Sequence, residues 1–207
     1  MTQVNDAELN NYVKYFADDQ YMVRRKIFTV MGSKFHVFDQ NGEVVLFSKM
    51  KAFKLKEDIR LYTGEDMQQE LLRISARNVI DFGATYDVFD SASGEKVGAL
   101  RRKGLKSMLK DEWLILDAND EEIGAVKEES TWKAVLRRLN GWCAILMPQK
   151  YNVELGGEHL VTFGQNFNPF VYKLDVDFSG DPQFRLDRRL GMAAAILMAA
   201  IEGKQDS

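Results

Sequence analysis

Near the end of the chain lies an uninterrupted stretch, residues 190–201, with no charged or polar side chain. Its apolar residues occupy every side of a helical wheel, so a helix formed here has to be covered on all sides. Its twelve residues, at about 1.5 Å each, span about 18 Å, which is too short for a bilayer core of about 30 Å. The stretch therefore predicts a helix enclosed by the rest of its own chain.

Before that helix, the apolar pattern has a period of two and recurs as hairpins. In each hairpin an aromatic residue opens a strand, an Asp or a short polar turn follows, and a second apolar run returns; the copies begin at Phe35, Tyr86, Trp113 and Tyr151. Asn-Gly and Gly-Gly pairs in these hairpins supply the positive φ that tight turns need. Many hairpins without long helices between them predict an antiparallel meander, and closing it into a barrel removes the exposed edges.

Two further helices are predicted outside the hairpin pattern. Residues 6–17 place Leu9, Val13 and Phe16 on one face, and residues 131–140 form an amphipathic insertion between strands. No Pro- or Ser-rich linker divides the chain. The prediction is one domain over 1–207, with an N-terminal helix at 6–17, barrel hairpins at 20–186, the inserted helix near 131–140 and a central helix at 188–202.

Composition excludes several classes of function. The 207 residues carry a net charge of −3, and no segment is basic enough to indicate a nucleic-acid partner. One cysteine, Cys143, cannot form an intramolecular disulfide, and with only two histidines it cannot build a Cys/His zinc site. We expect no cofactor and no metal. The N-terminus lacks the features of a secretory signal, so we expect a cytoplasmic protein, with peripheral membrane attachment as an added possibility.

The order of these elements resembles the tubby C-terminal-like superfamily, which includes the LURP-one-related proteins and the phospholipid scramblases. The resemblance covers about residues 20–203. It rests on the segments YMVRRKIF (21–28), FHVFDQNG (35–42) and GEKVGALRRK (94–103), and on the apolar helix that follows Arg188 and Arg189. It implies a mainly β fold: a closed antiparallel barrel of about twelve strands around a buried C-terminal helix. Small residues in that helix allow the walls to approach closely.

The main candidate site is a set of basic residues. The tubby branch of the superfamily implies phosphoinositide binding by Lys and Arg on the barrel surface, and basic clusters attract anionic lipid at about 1 kcal/mol per residue. The alternative is that Lys residues keep strand edges soluble. The candidates for lipid head groups are Lys49, Lys51, Lys54, Lys56, Arg101, Arg102, Lys103 and Lys106.

Other patterns favour structural roles. Residues 117–128 place oxygen ligands like a calcium loop, but Glu122 stands where such a loop needs Gly, so an acidic hairpin turn is favoured. Residues 107–110 match S-x-x-K without the companion motifs of a serine hydrolase. His36 and His159 lie in strand patterns without a nucleophile partner. No catalytic residues are predicted.

The leading hypothesis is therefore a non-enzymatic, soluble β-barrel that binds anionic lipid or a membrane surface. One alternative is a scaffold or regulatory protein with a protein partner. Another is phospholipid scrambling with the apolar helix in the membrane, which the short length of that helix disfavours.

Overall fold

Antiparallel β-strands follow one another along the chain and surround the last helix. The structure is a computed structural model that describes residues 6–26, 33–50, 58–77, 84–103, 112–129, 149–166 and 171–202. Within them, the strands are β1 (Gln20–Lys26), β2 (Ser33–Phe38), β3 (Val44–Met50), β4 (Ile59–Tyr62), β5 (Glu70–Ala76), β6 (Thr85–Asp90), β7 (Lys96–Arg102), β8 (Glu112–Leu116), β9 (Glu122–Glu128), β10 (Lys150–Leu155), β11 (Glu158–Asn166) and β12 (Val171–Asp177). The helices are α1 (Asp6–Phe16) and α2 (Arg188–Glu202).

The sheet closes on itself. Each strand pairs antiparallel with its neighbours in sequence, and β1 also pairs with β12, where Gln20 lies opposite Asp177 and Lys26 opposite Val171. Closure satisfies the backbone groups that an open edge would expose. The predicted closed antiparallel barrel of about twelve strands is therefore confirmed.

The tight turns form as their sequences predict. Gly42, Gly156 and Gly157 have φ values of 81°, 57° and 87°, a region that glycine adopts without the steric cost other residues meet. In the β2–β3 turn, Oδ1 of Asp39 accepts hydrogen bonds from the backbone amides of Asn41 (2.9 Å) and Glu43 (2.8 Å). The turn residues therefore hold the hairpin through local hydrogen bonds.

α2 fills the barrel. Residues 190–201 are all buried, and the most exposed of them, Ile201, is 9% exposed. A Cβ at Gly98 on β7 would lie 2.5 Å from the carbonyl oxygen of Leu116 and 2.9 Å from Cδ2 of Leu190. Glycine is therefore required where β7 packs against Leu190 of α2, and the predicted central helix is confirmed.

Both ends of α2 are satisfied by hydrogen bonds. At its start, Asp187 is the N-cap: its Oδ1 accepts the amide of Arg189 at 2.9 Å. At its end, the buried Arg25 of β1 donates through Nη1 to the carbonyl oxygens of Ala199 (2.8 Å) and Ala200 (3.5 Å). A carboxylate at the N-terminus and a guanidinium at the C-terminus both complement the helix dipole.

The direction of α2 distinguishes the two ends of the barrel. We call the end where α2 begins the N-mouth; it carries the turns 39–43, 63–69, 91–95, 117–121 and 156–157 and the loop 178–187. We call the end where α2 finishes the C-mouth; there the odd-numbered strands end, at Lys26, Met50, Ala76, Arg102, Glu128 and Asn166.

α1 lies at the N-mouth, but with a different buried face from the predicted one. Phe16 is 2% exposed as expected, whereas Leu9 and Val13 are 54% and 62% exposed. Tyr12 packs against the core instead, and its hydroxyl accepts the amide of Arg188 at 3.3 Å. The prediction for Leu9 and Val13 was wrong because Tyr12 and Phe16, spaced four apart, provide the stripe that contacts the barrel.

Some sequence predictions lie outside the described residues. These are the inserted helix near 131–140, the S-x-x-K segment at 107–110, Cys143, and the candidate bases Lys51, Lys54, Lys56 and Lys106. The single-domain assignment over 1–207 remains a prediction.

Candidate functional site

A group of basic side chains lies on the outer face of four adjacent strands, β12, β1, β2 and β3. On β1 the side chains of Tyr21, Val23 and Arg25 point into the barrel, so Arg24 between them points outward. The same alternation directs the others outward. We call this group the basic wall; it consists of Arg24, Lys34, His36, Lys49 and Lys173.

The strand register places like charges directly opposite each other in the basic wall. Lys34 of β2 faces Lys49 of β3, and Arg24 of β1 faces Lys173 of β12. Directly opposed side chains have Cβ atoms about 4.5–5.5 Å apart, and like charges at that spacing are destabilising. Two such pairs side by side make a surface that an anion would stabilise.

Aromatic rings lie beneath these cations. The guanidinium of Arg24 is 4.5 Å from the ring centroid of Phe38, and Nζ of Lys34 is 5.9 Å from that of Phe47. Phe47 faces outward yet is only 2% exposed, and the ring of His36 lies 5.2 Å from it. Cation–π contacts of this kind hold the charged groups in place without neutralising them.

One carboxylate contacts the basic wall from the β4–β5 turn. Oε2 of Glu65 lies 3.3 Å from Nζ of Lys34, and Oε1 lies 2.9 Å from Nε2 of His36. The hydrogen bonds from His36 and Lys34 hold the pKa of Glu65 below its ordinary value. Among the described residues, the ion pairs of the basic wall all go to Glu65, which shows that the wall accepts a carboxylate.

The structure separates the predicted basic residues. Lys49 belongs to the basic wall, whereas Arg101, Arg102 and Lys103 lie at the end of β7, with β4, β5 and β6 between. At about 4.8 Å per strand, the separation around the barrel is about 19 Å. Nε of Arg101 donates to Oγ1 of Thr85 at 3.3 Å, and Nζ of Lys103 pairs with Glu112 at 2.8 Å. Only Lys49 of the described candidates lies in the wall.

Arg24, Lys34 and Lys173 were not among the site residues predicted from the sequence. The signal that could have found Lys34 is the alternation from Lys34 to Phe38, which directs Lys34 and His36 to one face. Lys173 joins Arg24 only because the barrel closes between β12 and β1. The register of that pairing is known only from the three-dimensional structure.

Charge is also segregated along the barrel axis. At each mouth, every strand contributes its two terminal residues and the residue that adjoins them, wherever the structure describes their side chains. At the C-mouth the bases are Arg25, Lys34, Lys49, Arg60, Arg77, Arg101, Arg102, Lys103, Lys127 and Lys150, and the acids are Asp58, Glu112, Glu128 and Glu129. At the N-mouth the acids are Asp19, Asp39, Glu43, Glu70, Asp90, Glu95, Asp117, Glu121, Glu122, Glu154, Glu158 and Asp177, and the base is Lys96.

The remaining sequence candidates make contacts within the protein. Oδ1 of Asp117 accepts the amides of Asn119 (2.8 Å) and Glu121 (2.9 Å), while Asp120 binds Arg77 and Lys96. Nε2 of His159 lies 3.1 Å from the carbonyl oxygen of Val161. Over the described ranges, no group of three or more His, Cys, Asp or Glu side chains has the arrangement of a metal site.

In the described part of the chain, neither helix has both the length and the apolar character needed to cross a bilayer.

Comparison with known proteins assigns the chain to a family. No curated protein sequence is similar enough to this chain to serve as a relative. The family model described as LURP-one-related matches residues 44–199, which is most of the chain. The protein therefore belongs to the LURP-one-related family, within the tubby-like superfamily.

Proposed function

We propose that this protein is a non-enzymatic β-barrel that binds an anionic membrane surface through the basic wall. The observation that carries the proposal is the pair of like-charge contacts across neighbouring strands, Lys34 opposite Lys49 and Arg24 opposite Lys173. Such pairs weaken the sheet unless an anion lies between or above them. The family assignment is consistent with a lipid ligand, since the family belongs to the tubby-like superfamily, whose tubby branch implies phosphoinositide binding.

The position of the wall suits a flat surface. Its side chains lie on the outside of the barrel toward the C-mouth, where bases outnumber acids, and the N-mouth at the far end is acidic. An anionic membrane attracts the first end and repels the second, so the charge distribution favours one orientation. The helix dipole does not explain the wall, because it acts within the last turn of α2 and these side chains point away from the lumen.

Vesicle co-sedimentation tests the proposal. The parent protein should bind vesicles that contain phosphatidylserine or a phosphoinositide, and it should not bind vesicles of phosphatidylcholine alone. Lys49→Gln and Lys173→Gln should each weaken binding about fivefold, since each cation near the surface contributes about 1 kcal/mol. Added salt should weaken binding further, because screening shortens the range of the attraction.

The matched control is Lys150→Gln. Lys150 is an exposed base at the C-mouth on β10, and it lies outside the basic wall. Its substitution changes net charge equally, and because Lys150 lies outside the wall it should weaken vesicle binding much less than Lys49→Gln does. Equal losses in Lys49→Gln and Lys150→Gln would show diffuse attraction to net charge and would contradict a site on the wall.

A further inference from the structure

The exposed apolar side chains of the described residues gather at the N-mouth. The large hydrophobic residues with high exposure are Leu9 (54%), Val13 (62%), Val44 (40%), Met67 (42%) and Phe184 (46%). Leu9 and Val13 belong to α1, Val44 opens β3, Met67 lies in the β4–β5 turn, and Phe184 precedes α2. Single exposed hydrophobic residues are ordinary, but Leu9 and Val13 on one helix, together with Met67 and Phe184 in described segments of the same mouth, mark an interaction surface.

α1 forms the centre of this surface. Its Tyr12–Phe16 face lies against the barrel, and the guanidinium of Arg189 is 5.3 Å from the ring centroid of Tyr12. Leu9 and Val13, spaced one helical turn apart, lie beside that face and are exposed to solvent. A hydrogen bond of 3.0 Å from Nε2 of Gln69 to Oδ1 of Asn11 joins α1 to the β4–β5 turn, which carries Met67.

Two of these residues have an unfavourable backbone conformation. Met67 and Phe184 both have φ of 53°, a region that glycine or asparagine occupies at lower cost. The Phe184 ring contacts the guanidinium of Arg188, 4.5 Å from its centroid, which accounts for a side chain there. The exposed Met67 makes no comparable ring or polar side-chain contact among the described residues, so its large side chain is better explained by an external partner.

The acids of the N-mouth define the charge of that partner. Exposed carboxylates lie on the turns of the same mouth, at Glu43, Asp66, Glu95 and Glu121. An apolar helix face on a mouth rich in carboxylates is complementary to a helix with one apolar face and lysines or arginines beside it. We propose that the N-mouth binds a basic amphipathic helix of a partner protein, with Leu9, Val13 and Met67 in contact with its apolar face.

Binding of a synthetic peptide tests the proposal without knowledge of the natural partner. The probe is a fluorescent amphipathic helix of leucine and lysine, about 18 residues or five turns long. In the control peptide, glutamate replaces each lysine. Fluorescence anisotropy should show binding of the Leu/Lys peptide and no binding of the Leu/Glu peptide. The double variant Leu9→Ser with Val13→Ser removes both exposed apolar side chains of α1. It should weaken binding at least about tenfold, which corresponds to about 1.4 kcal/mol.

Met67→Gly separates binding from folding. Glycine fits φ of 53°, so this variant should melt at a temperature equal to or higher than the parent and still bind the peptide several-fold more weakly. Lys49→Gln should leave peptide binding unchanged, and the Leu9/Val13 variant should leave vesicle binding unchanged. The two proposals can therefore fail independently.

Three outcomes would overturn the inference. One is equal affinity of the parent and the Leu9/Val13 variant for the peptide, with both proteins folded by circular dichroism. Another is equal binding of the Leu/Lys and Leu/Glu peptides. The third is salt-sensitive oligomerisation in analytical ultracentrifugation that Leu9→Ser with Val13→Ser abolishes, because the occupant of the N-mouth would then be the basic end of a second copy.

Discussion

The N-mouth and the C-mouth differ in charge at the strand ends that the structure describes, although the same twelve strands form both. The N-mouth combines carboxylates with exposed Leu9, Val13 and Met67, whereas the C-mouth is rich in lysine and arginine. Inside the barrel, Asp187 and Arg25 match the dipole of α2 at its two ends. On the outside no such requirement exists, and the charge difference there fits the two binding surfaces proposed above.

The largest expected effect concerns the helix that both mouths share. Ala195 is fully buried in α2, so Ala195→Asp places a carboxylate where no partner is available, and the variant should not fold. Circular dichroism should show no cooperative melting transition. Ala118→Asp, the same change at an exposed position of the β8–β9 turn, should melt like the parent. A normal melt for Ala195→Asp would mean that α2 is not enclosed.

A smaller loss is expected at Gly98, where β7 packs against Leu190 of α2 and the backbone of β8. A Cβ at Gly98 meets a backbone oxygen at 2.5 Å, whereas a Cβ at Gly164 has nothing within 4 Å. Gly98→Ala should cost about 1–3 kcal/mol of unfolding free energy, as overpacked positions do. Gly164→Ala should cost far less. Urea unfolding of the two variants measures the difference, and equal stabilities would contradict the close approach.

Arg24 and Arg25 on β1 point to opposite faces of the barrel wall, so their substitutions test the outer and the inner charge separately. Arg25→Met leaves carbonyl oxygens of Ala199 and Ala200 without their buried donor, and it should lower the unfolding free energy by about 2 kcal/mol. Arg24→Met, on the outer face, should change stability by less than about 0.5 kcal/mol and should weaken vesicle binding. If both variants lose stability equally, the assignment of the two faces is wrong.

A gain of binding is expected from the turn that contacts the basic wall. Glu65→Gln removes the carboxylate that contacts Lys34 and His36, so anionic vesicles should bind several-fold more tightly. Asp66→Asn changes the charge equally one residue away, and its carboxylate accepts the amide of Gln68. If the two variants behave alike in co-sedimentation, Glu65 does not compete with the lipid.

The smallest effect concerns Asp120, an acid of the N-mouth that pairs with two bases outside the basic wall, Arg77 and Lys96. Hydrogen bonds from Arg77 and then Lys96 lower the pKa of Asp120 to about 2. Because the folded-state pKa lies below the ordinary value near 3.9, this pairing stabilises the fold above that value, and the contribution disappears as pH falls toward 2. An NMR titration should show this midpoint, and Arg77→Met should raise it. A midpoint near 3.9 in the parent would contradict the network.

The sequence predicts the interior of this protein better than its surface. Residues 190–201 have no polar side chain, so a helix formed by them is stable only when it is buried. In the hairpin turns, the glycines themselves indicate where the backbone has a positive φ. These signals are local. Burial of Arg25, in contrast, depends on the carbonyl oxygens of a helix that follows it by more than 170 residues.

The candidate site was less predictable because it depends on register between strands. Lys173 lies opposite Arg24 only through the β1–β12 seam, and a shift of one residue would turn either side chain to the other face. The exposure of Leu9 and Val13 has a similar origin. The apolar side of α1 is wider than its contact with the barrel, which includes Tyr12 and Phe16 and leaves Leu9 and Val13 exposed.

The difference between the mouths is tested most directly by locating the membrane relative to the barrel axis. Anionic bicelles that carry a paramagnetic lipid broaden the NMR signals of nearby backbone amides. We predict broadening at Lys34, Lys49 and Lys173, and none at Gly94 or Asn119 in the N-mouth turns. Broadening of the N-mouth signals with sharp signals across β2 and β3 would contradict binding through the basic wall.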